Sequence, residues 1–304
     1  MKAAAYVKSP SGKVLQLIEA EKPVPADDEV LIQVRAASVN PLDWRLKARR
    51  SGVDVAGEVV SIGKHVTQFK SGDAVFGTCK GAFAEYACAT ERKLAPKPDH
   101  LTFDEAACVP VAGLTALQGL RDKGNLQPGQ KLLINGAAGG VGTFAVQIAK
   151  SLGAEVTGVC SARNVEMVRS LGADAVFDYT KEDFTKSGRR YDLLLDNVGN
   201  RPLSAFRRVM TPRGRCVLVG APKAMGAIVL RVSKAFAWSP FLRQKFTFFT
   251  AKVRRNDLIA LSELIKAGKL KPMIDKRYPL SAIAEAVAYV EAGHARAKVV
   301  ISLE

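Results

Sequence analysis

A two-domain α/β architecture is predicted: a mostly-β N-terminal domain followed by a doubly wound parallel sheet. Three observations predict it. The chain has 304 residues, more than one domain usually holds. Up to about residue 105 it is built of short alternating runs such as "EVLIQVRAASV" and "GEVVSIG", broken by turn residues, which reads as strand with little helix. From about 106 to 270, short apolar runs alternate with amphipathic segments, and that alternation calls for a parallel sheet covered on both faces. The expected boundaries are residues 1–106 for the β-rich domain, 107–271 for the parallel-sheet domain, and 272–304 for a return that completes the first.

The elements of the second region follow in order. Strand "KLLIN" (Lys131–Asn135) precedes the helix "GVGTFAVQIAKSLG"; "AEVTGVC" precedes "NVEMVRSLG"; "YDLLLDNVG" precedes "PLSAFRRVM"; "GRCVLVG" follows. The helix "NDLIALSELIKAG" closes the region, and after Pro272 come strand "MIDKRYPL", helix "SAIAEAVAYVEAG" and strand "AKVVISL". Met225–Phe249 mixes aromatic and basic residues. It reads either as a membrane-surface or substrate-access element or as an apolar wall and subunit contact, and Pro240 interrupts any long amphipathic helix there.

Composition narrows the function classes. With 48% hydrophobic and 24% charged residues, the chain is an ordinary globular one. No run is long and apolar enough for stable membrane insertion, and the first residues lack the apolar core of a signal peptide, so a cytoplasmic protein is expected. The five cysteines are scattered without a C-x-x-C pair, against a disulfide framework or zinc knuckle. A net charge of +16 suits either anionic partners or a basic solvated surface; without an arginine-rich tail or nucleic-acid motif, no specific nucleic-acid partner is expected.

The sequence "GAAGGVG" stands between a strand and a helix. Ala137, Gly139, Gly140 and Gly142 form an A-x-G-G-x-G variant of the dinucleotide fingerprint, where small residues allow a tight turn and close backbone approach to a pyrophosphate. The helix N-terminus, with Val141 in its first turn, adds free N–H groups and partial positive charge. At the end of the next strand an NAD site places Asp or Glu on the ribose hydroxyls. Here stand Ser161, Ala162, Arg163 and Asn164. A carboxylate would repel a 2′-phosphate and a guanidinium pairs with one, so NADPH is the expected cofactor; a solvated Arg163 at a helix start is the alternative.

The stretch "DVAGEVVSIGKHVTQFKSGDAVFG" (Asp54–Gly77), with Gly57, Gly63, Val66, Phe69, Gly72, Asp73, Val75 and Gly77, resembles the signature of the GroES-like domain of medium-chain dehydrogenase/reductases. With "GAAGGVG" and the C-terminal return, the resemblance spans essentially the whole chain. "CSARN", "VPVAGLTAL", "FDYT" and "GHARAKVV" are similar to the zinc-independent quinone oxidoreductase and alkenal (enone) reductase branch. The resemblance implies a GroES-like catalytic domain plus a Rossmann domain, a small-molecule quinone or enone substrate, and a homodimer joined at the edge of the Rossmann sheet. It also implies cofactor contacts at Thr115, Asn197, Gly220 and Ala221, with Tyr179 after the third strand near adenosine or the 2′-phosphate. Each of these has a plain turn-residue alternative. Lys298 is a further cofactor candidate, and Ala297 stands where many relatives have Gly.

The zinc enzymes of this superfamily hold their metal at positions that match Asn40, Val53 and Val111 here, and an amide and two valines do not ligate zinc. The three histidines show no ligand spacing, so no metal is expected. Without a Lewis acid, an acceptor that already delocalises negative charge is the better substrate. Asn40 is the first candidate donor to a substrate oxygen or the cofactor, its alternative being a turn residue before Pro41. Arg45 stands where zinc enzymes have a proton-relay histidine, with a surface charge as alternative, and Asp43 is placed to orient the group. No general acid stands out, leaving water as the proton source. The segment after Arg50 is shorter than in relatives. The competing expectation is a non-catalytic NADPH-binding sensor or polyanion-binding protein.

Overall fold

The computed structural model describes residues 1–10, 12–45, 51–220, 243–293 and 295–303. The expectations for Ala221 and for most of Met225–Phe249 therefore lie outside the described residues, and so do residues 46–50, which lead into the short segment after Arg50. Contacts divide the chain into two compact units, Met1–Leu114 with Lys252–Gly268 and Pro272–Glu304, and Thr115–Ala251 with Lys269–Lys271.

In the first unit, β1 (Lys2–Ser9) and β2 (Gly12–Glu19) form a hairpin. β3 (Glu29–Ser38), β4 (Asp54–Ile62), β5 (Ala74–Thr78), β6 (Tyr86–Thr90) and β7 (Leu94–Pro96) build the main sheet. Among the described residues, two five-residue α-helices interrupt this part, α1 (Pro41–Arg45) and α2 (Phe103–Ala107), the latter started by a reciprocal capping box between Thr102 and Glu105. β-Branched residues dominate the strands because they pack well on a pleated surface. Val30, Ile32, Val34, Val55 and Val59 are all buried, and the core closes over Phe83.

α3 (Pro110–Gln118) contains the unit boundary, between Leu114 and Thr115. The second unit then alternates strand and helix: β8 (Lys131–Asn135), α4 (Gly140–Ser151), β9 (Glu155–Cys160), α5 (Val165–Ser170), β10 (Ala175–Asp178), β11 (Tyr191–Asp196), α6 (Leu203–Arg208), β12 (Met210–Leu218) and β13 (Lys245–Phe248). The sheet order is β10-β9-β8-β11-β12-β13, all parallel. β8 sits centrally, with the chain first winding out to β10 and then returning to β11 on its other side, the doubly wound topology expected. β12 starts earlier than "GRCVLVG" suggests: Met210 already pairs with Tyr191, and a register shift between Tyr191 and Leu193 absorbs the Pro212–Gly214 interruption.

Returning to the first unit, α7 (Arg255–Lys266) buries Leu258, Leu261 and Ile265. β14 (Ile274–Pro279), α8 (Ile283–Glu291) and β15 (Lys298–Ser302) follow. β15 pairs antiparallel with β3, Val300 opposite Ser38, and so completes the main sheet in the order β14-β15-β3-β4-β5-β7.

Candidate active site

In the first unit, sheet register assembles a buried polar knot. β3 ends at Ser38, and its pairing with β4 places Ser38 opposite Asp54. Pro41, with its fixed φ and no N–H to lose, starts α1 directly after Asn40. Lys298 precedes Val300 by two residues on β15, which brings its side chain to the end of β3.

Asp54, fully buried, accepts at Oδ2 from Ser38 Oγ at 2.7 Å, from Asn40 Nδ2 at 2.8 Å and from Lys298 Nζ at 3.3 Å, and at Oδ1 from the Val111 N–H at 2.9 Å. Asn40 Nδ2 also donates to the Ser38 carbonyl at 3.3 Å, and its Oδ1 accepts from Lys298 Nζ at 2.7 Å. Lys298 is 3% exposed, so the ammonium and the Asp54 carboxylate neutralise each other where neither meets water.

Asp43, also buried, accepts from the Asn40 N–H at 2.7 Å, while its own N–H donates to the Asn40 carbonyl at 3.0 Å. Burial pushes the Asp43 carboxyl up to about 7; the Asn40 N–H opposes that rise, and the Asp54 charge adds to it.

The structure therefore brings Asn40, Asp43 and Lys298 together. Arg45 is exposed, outside this knot, with its guanidinium 5.2 Å from the Trp44 ring centroid. Asp54, the hub, was missed as a site residue. Its one local signal was a carboxylate opening the otherwise apolar "DVAG". The positions matched to zinc ligands surround this hub: Asn40 and the Val111 N–H bond to it, and Val53 precedes it. Among the described residues, no three His, Cys, Asp or Glu side chains are grouped as a metal site.

In the second unit, the predicted cofactor residues other than Thr115 and Ala221 lie at the carboxyl ends of the parallel strands. The loop after β8 is tied to β9 by the Gly136 and Ala137 N–H groups, which donate to the Val159 carbonyl at 3.1 and 3.0 Å. Gly139 then caps α4 without a side-chain hydrogen bond, so the first-turn N–H groups of Gly140 and Val141 are left for a ligand. Ser161, Arg163 and Asn164 form the turn after β9, with Asn164 Nδ2 donating to Ser161 Oγ at 3.1 Å. Tyr179 follows β10, its N–H donating to the Cys160 carbonyl at 3.0 Å and its side chain exposed. Asn197 follows β11, its N–H donating to the Asn135 carbonyl at 3.0 Å, and the Gly220 N–H, after β12, donates to the Asp196 carbonyl at 2.8 Å. Thr115 is buried on α3, before β8. β8 and β11 flank the point where the winding reverses, the position at which open α/β sheets bind ligands.

Three features of these residues suit a dinucleotide. A Cβ on Gly142 would collide with the Gly136 carbonyl, so that glycine is demanded by the turn itself. A Cβ on Gly139 would meet only the Gly136 carbonyl oxygen, at 3.6 Å, so the fold does not require glycine there and the bare backbone is left open for close approach. Asn164 Oδ1 and both side-chain polar atoms of Asn197 are buried without hydrogen-bond partners, and such groups call for an external partner.

Comparison with known proteins bears on both units. Residues 26–99 match the family described as "Alcohol dehydrogenase GroES-like domain", and residues 171–301 the family described as "Zinc-binding dehydrogenase". The chain is 34% identical to the chloroplast envelope quinone oxidoreductase homolog of Arabidopsis thaliana, covering 94% of this chain and 93% of that protein. It is also 34% identical to the chloroplastic NADPH-dependent alkenal/one oxidoreductase of the same plant, covering 99% of this chain and 79% of that one. The solved structure of the quinone oxidoreductase from Coxiella burnetii superposes with a TM-score of 0.87 at 29% identity, covering 100% of this chain and 99% of the other.

Proposed function

The chain belongs to the quinone oxidoreductase and alkenal reductase branch of the medium-chain dehydrogenase/reductase superfamily, a pyridine-nucleotide-dependent group, and on that premise we propose that it is a metal-independent, NADPH-dependent reductase of quinones or α,β-unsaturated carbonyls. The observation that carries the reading is the turn after β9: Ser161, Arg163 and Asn164 stand where a carboxylate would select NADH. Arg163 and Ser161 would hold the 2′-phosphate, the first turn of α4 the pyrophosphate, and Asn197 with Gly220 the nicotinamide half.

When bound, NADPH supplies the hydride, and the chain's residues fix where it goes. Transfer to the β-carbon of an enone leaves an enolate, which a proton from water completes; a quinone yields the hydroquinone in the same way. Metal independence rests on the residue types at Asn40, Val53 and Val111, and on Lys298, which already supplies the buried positive charge in that region. Asn40, Asp43 and Lys298 act in this proposal as positioning residues: the Asn40 and Lys298 side chains bond each other and Asp54, and the Asp43 carboxyl accepts the Asn40 backbone N–H. Arg45 is the exposed group that could attract an anionic oxygen.

A homodimer joined through the outer edge of β13, the last strand of its sheet, belongs to the same proposal. So does a cytoplasmic location, supported by five free cysteines. Among the described residues, no helix is long and apolar enough to cross a membrane.

The test is the initial rate of NADPH oxidation with a soluble quinone and with a short-chain enone, with chelator present and NADH as control. Turnover that prefers NADPH and ignores chelator supports the proposal. Tight NADPH binding without turnover on either acceptor favours a binding protein instead.

A further inference from the structure

The parallel sheet of the second unit has the proposed dinucleotide rim at its carboxyl end and, at the amino ends of β11, β12 and β13, a cluster of arginines. Arg190 immediately precedes β11; Arg207 and Arg208 close α6 just before β12; Arg243 and Gln244 immediately precede β13. These three segments converge on one cavity of about 690 Å³ that also takes in Ser204 and has no carboxylate among its described lining residues. β11 runs for six residues between this cavity and the rim, a span of about 20 Å at ~3.3 Å per residue. The cavity is thus remote from the glycine loop.

Its floor is built rather than incidental. Gln244 Nε2 donates to the carbonyls of Arg207 at 3.1 Å, Met210 at 3.4 Å and Thr211 at 3.1 Å, and its Oε1 accepts from Arg207 Nε at 3.3 Å. Arg190 donates to the Met210 carbonyl at 3.1 Å. One amide thereby holds the corner between α6 and β12 in place, and two of the four guanidinium groups are anchored to that corner. Arg208 and Arg243 are exposed on the same wall.

A second, independent observation lies beside it. The register of β12 and β13 sets Arg215 directly opposite Lys245, the residue after Gln244. Like charges paired across strands destabilise a sheet. Four guanidinium groups around one cavity, with a like-charged pair next to them, are costly in the free protein and favourable once a multivalent anion is present.

We propose that this cavity is a second binding site, specific for a small multivalent phosphate-bearing anion and separate from the dinucleotide site. Guanidinium forks match phosphate oxygens two at a time, which favours phosphate over a single carboxylate. The volume falls within the usual range for small-molecule sites.

The experiment is isothermal titration of the full chain with inorganic tripolyphosphate at about physiological salt, with and without saturating NADP⁺, for the parent and for the R208A/R243A double variant. Saturable one-to-one binding that NADP⁺ leaves in place, weakened by about 10–100-fold in the double variant, is the expected result. The variant should melt no lower than the parent, because it relieves like-charge repulsion, and should keep its NADPH affinity. A parallel titration with ATP separates the two sources of this chemistry: tighter ATP binding identifies a nucleoside polyphosphate, and tighter tripolyphosphate binding an inorganic one. The proposal is overturned if no saturable binding occurs, if NADP⁺ abolishes it, or if the double variant binds as the parent does. It is also overturned if only a single-stranded oligonucleotide or phosphatidylglycerol vesicles bind through these arginines.

Discussion

The knot around Asp54 and the rim at the carboxyl ends of β8–β12 are both polar and both partly buried, yet their hydrogen bonding differs. In the knot, the Asp54 carboxylate accepts four hydrogen bonds, and Asn40 uses both amide hydrogens and its carbonyl oxygen. At the rim, Asn164 Oδ1 and the whole Asn197 amide lack partners. A saturated polar network holds a fold in one arrangement, whereas unsatisfied groups await something from outside. The difference separates a network that holds the fold of its own unit from groups left with hydrogen-bonding capacity to spare.

Breaking the knot should produce the largest effect. Lys298→Met removes the one cation bonded to Asp54 among the described residues and leaves a buried carboxylate without that counter-charge. Loss of one partner of such a pair costs about 3–5 kcal/mol. Chemical denaturation should show that loss in both the denaturant midpoint and the unfolding free energy; a variant as stable as the parent would mean the knot is not the structural element its bonding suggests.

The acidity of Asp43 sharpens the same contrast. Its folded-state carboxyl titrates at about 7, raised from an ordinary 3.8. The native state therefore holds a proton that the unfolded state has released through most of the window between those values. Stability contributed by this group is fully present below the lower value and is lost as pH rises toward 7. The slope approaches about 1.4 kcal/mol per pH unit inside that window and vanishes above it. Asp43→Asn should flatten this part of the stability profile. An unchanged slope would place the titration elsewhere.

Much of the rim was legible in the sequence because its signals are local. Strand, small-residue loop and helix follow one another within "KLLINGAAGGVG", and Ser161, Arg163 and Asn164 come at the end of the very next strand. The knot was legible only in part. Asn40, Asp43 and Lys298 were singled out separately, but Lys298 reaches Asn40 across 258 positions of sequence, through the pairing of β15 with β3. Asp54 looked like one more residue of a strand until register set it opposite Ser38. The arginine cavity was hidden for the same reason: its charges come from three segments, and only the sheet brings them together.

At the rim the prediction reverses sign. Asn197→Ala removes two buried, unpartnered polar atoms, so the free protein should be as stable as the parent or slightly more so. Affinity for the reduced dinucleotide should nevertheless fall by about ten-fold, the loss expected for one or two hydrogen bonds. Differential scanning calorimetry and coenzyme fluorescence titration read the two effects separately. Lost stability together with unchanged affinity would move Asn197 from the binding rim into the structural class.

The smallest expected change tests the knot without touching its polar atoms. Ala297, directly before Lys298, has a φ of +55°, in the left-handed region that side chains other than glycine avoid. Sequence resemblance marks this as a glycine position in many relatives, and the backbone shows why. The methyl group is buried, which offsets part of the conformational cost. A left-handed residue with a Cβ is disfavoured by about 1–2 kcal/mol relative to glycine, and glycine's extra freedom in the unfolded chain returns part of that. Ala297→Gly should therefore stabilise the protein by up to about 1 kcal/mol in denaturant titration. If the strain matters to Lys298, the rate of NADPH oxidation should change with it; if the knot is held by its hydrogen bonds alone, stability should rise while turnover stays fixed.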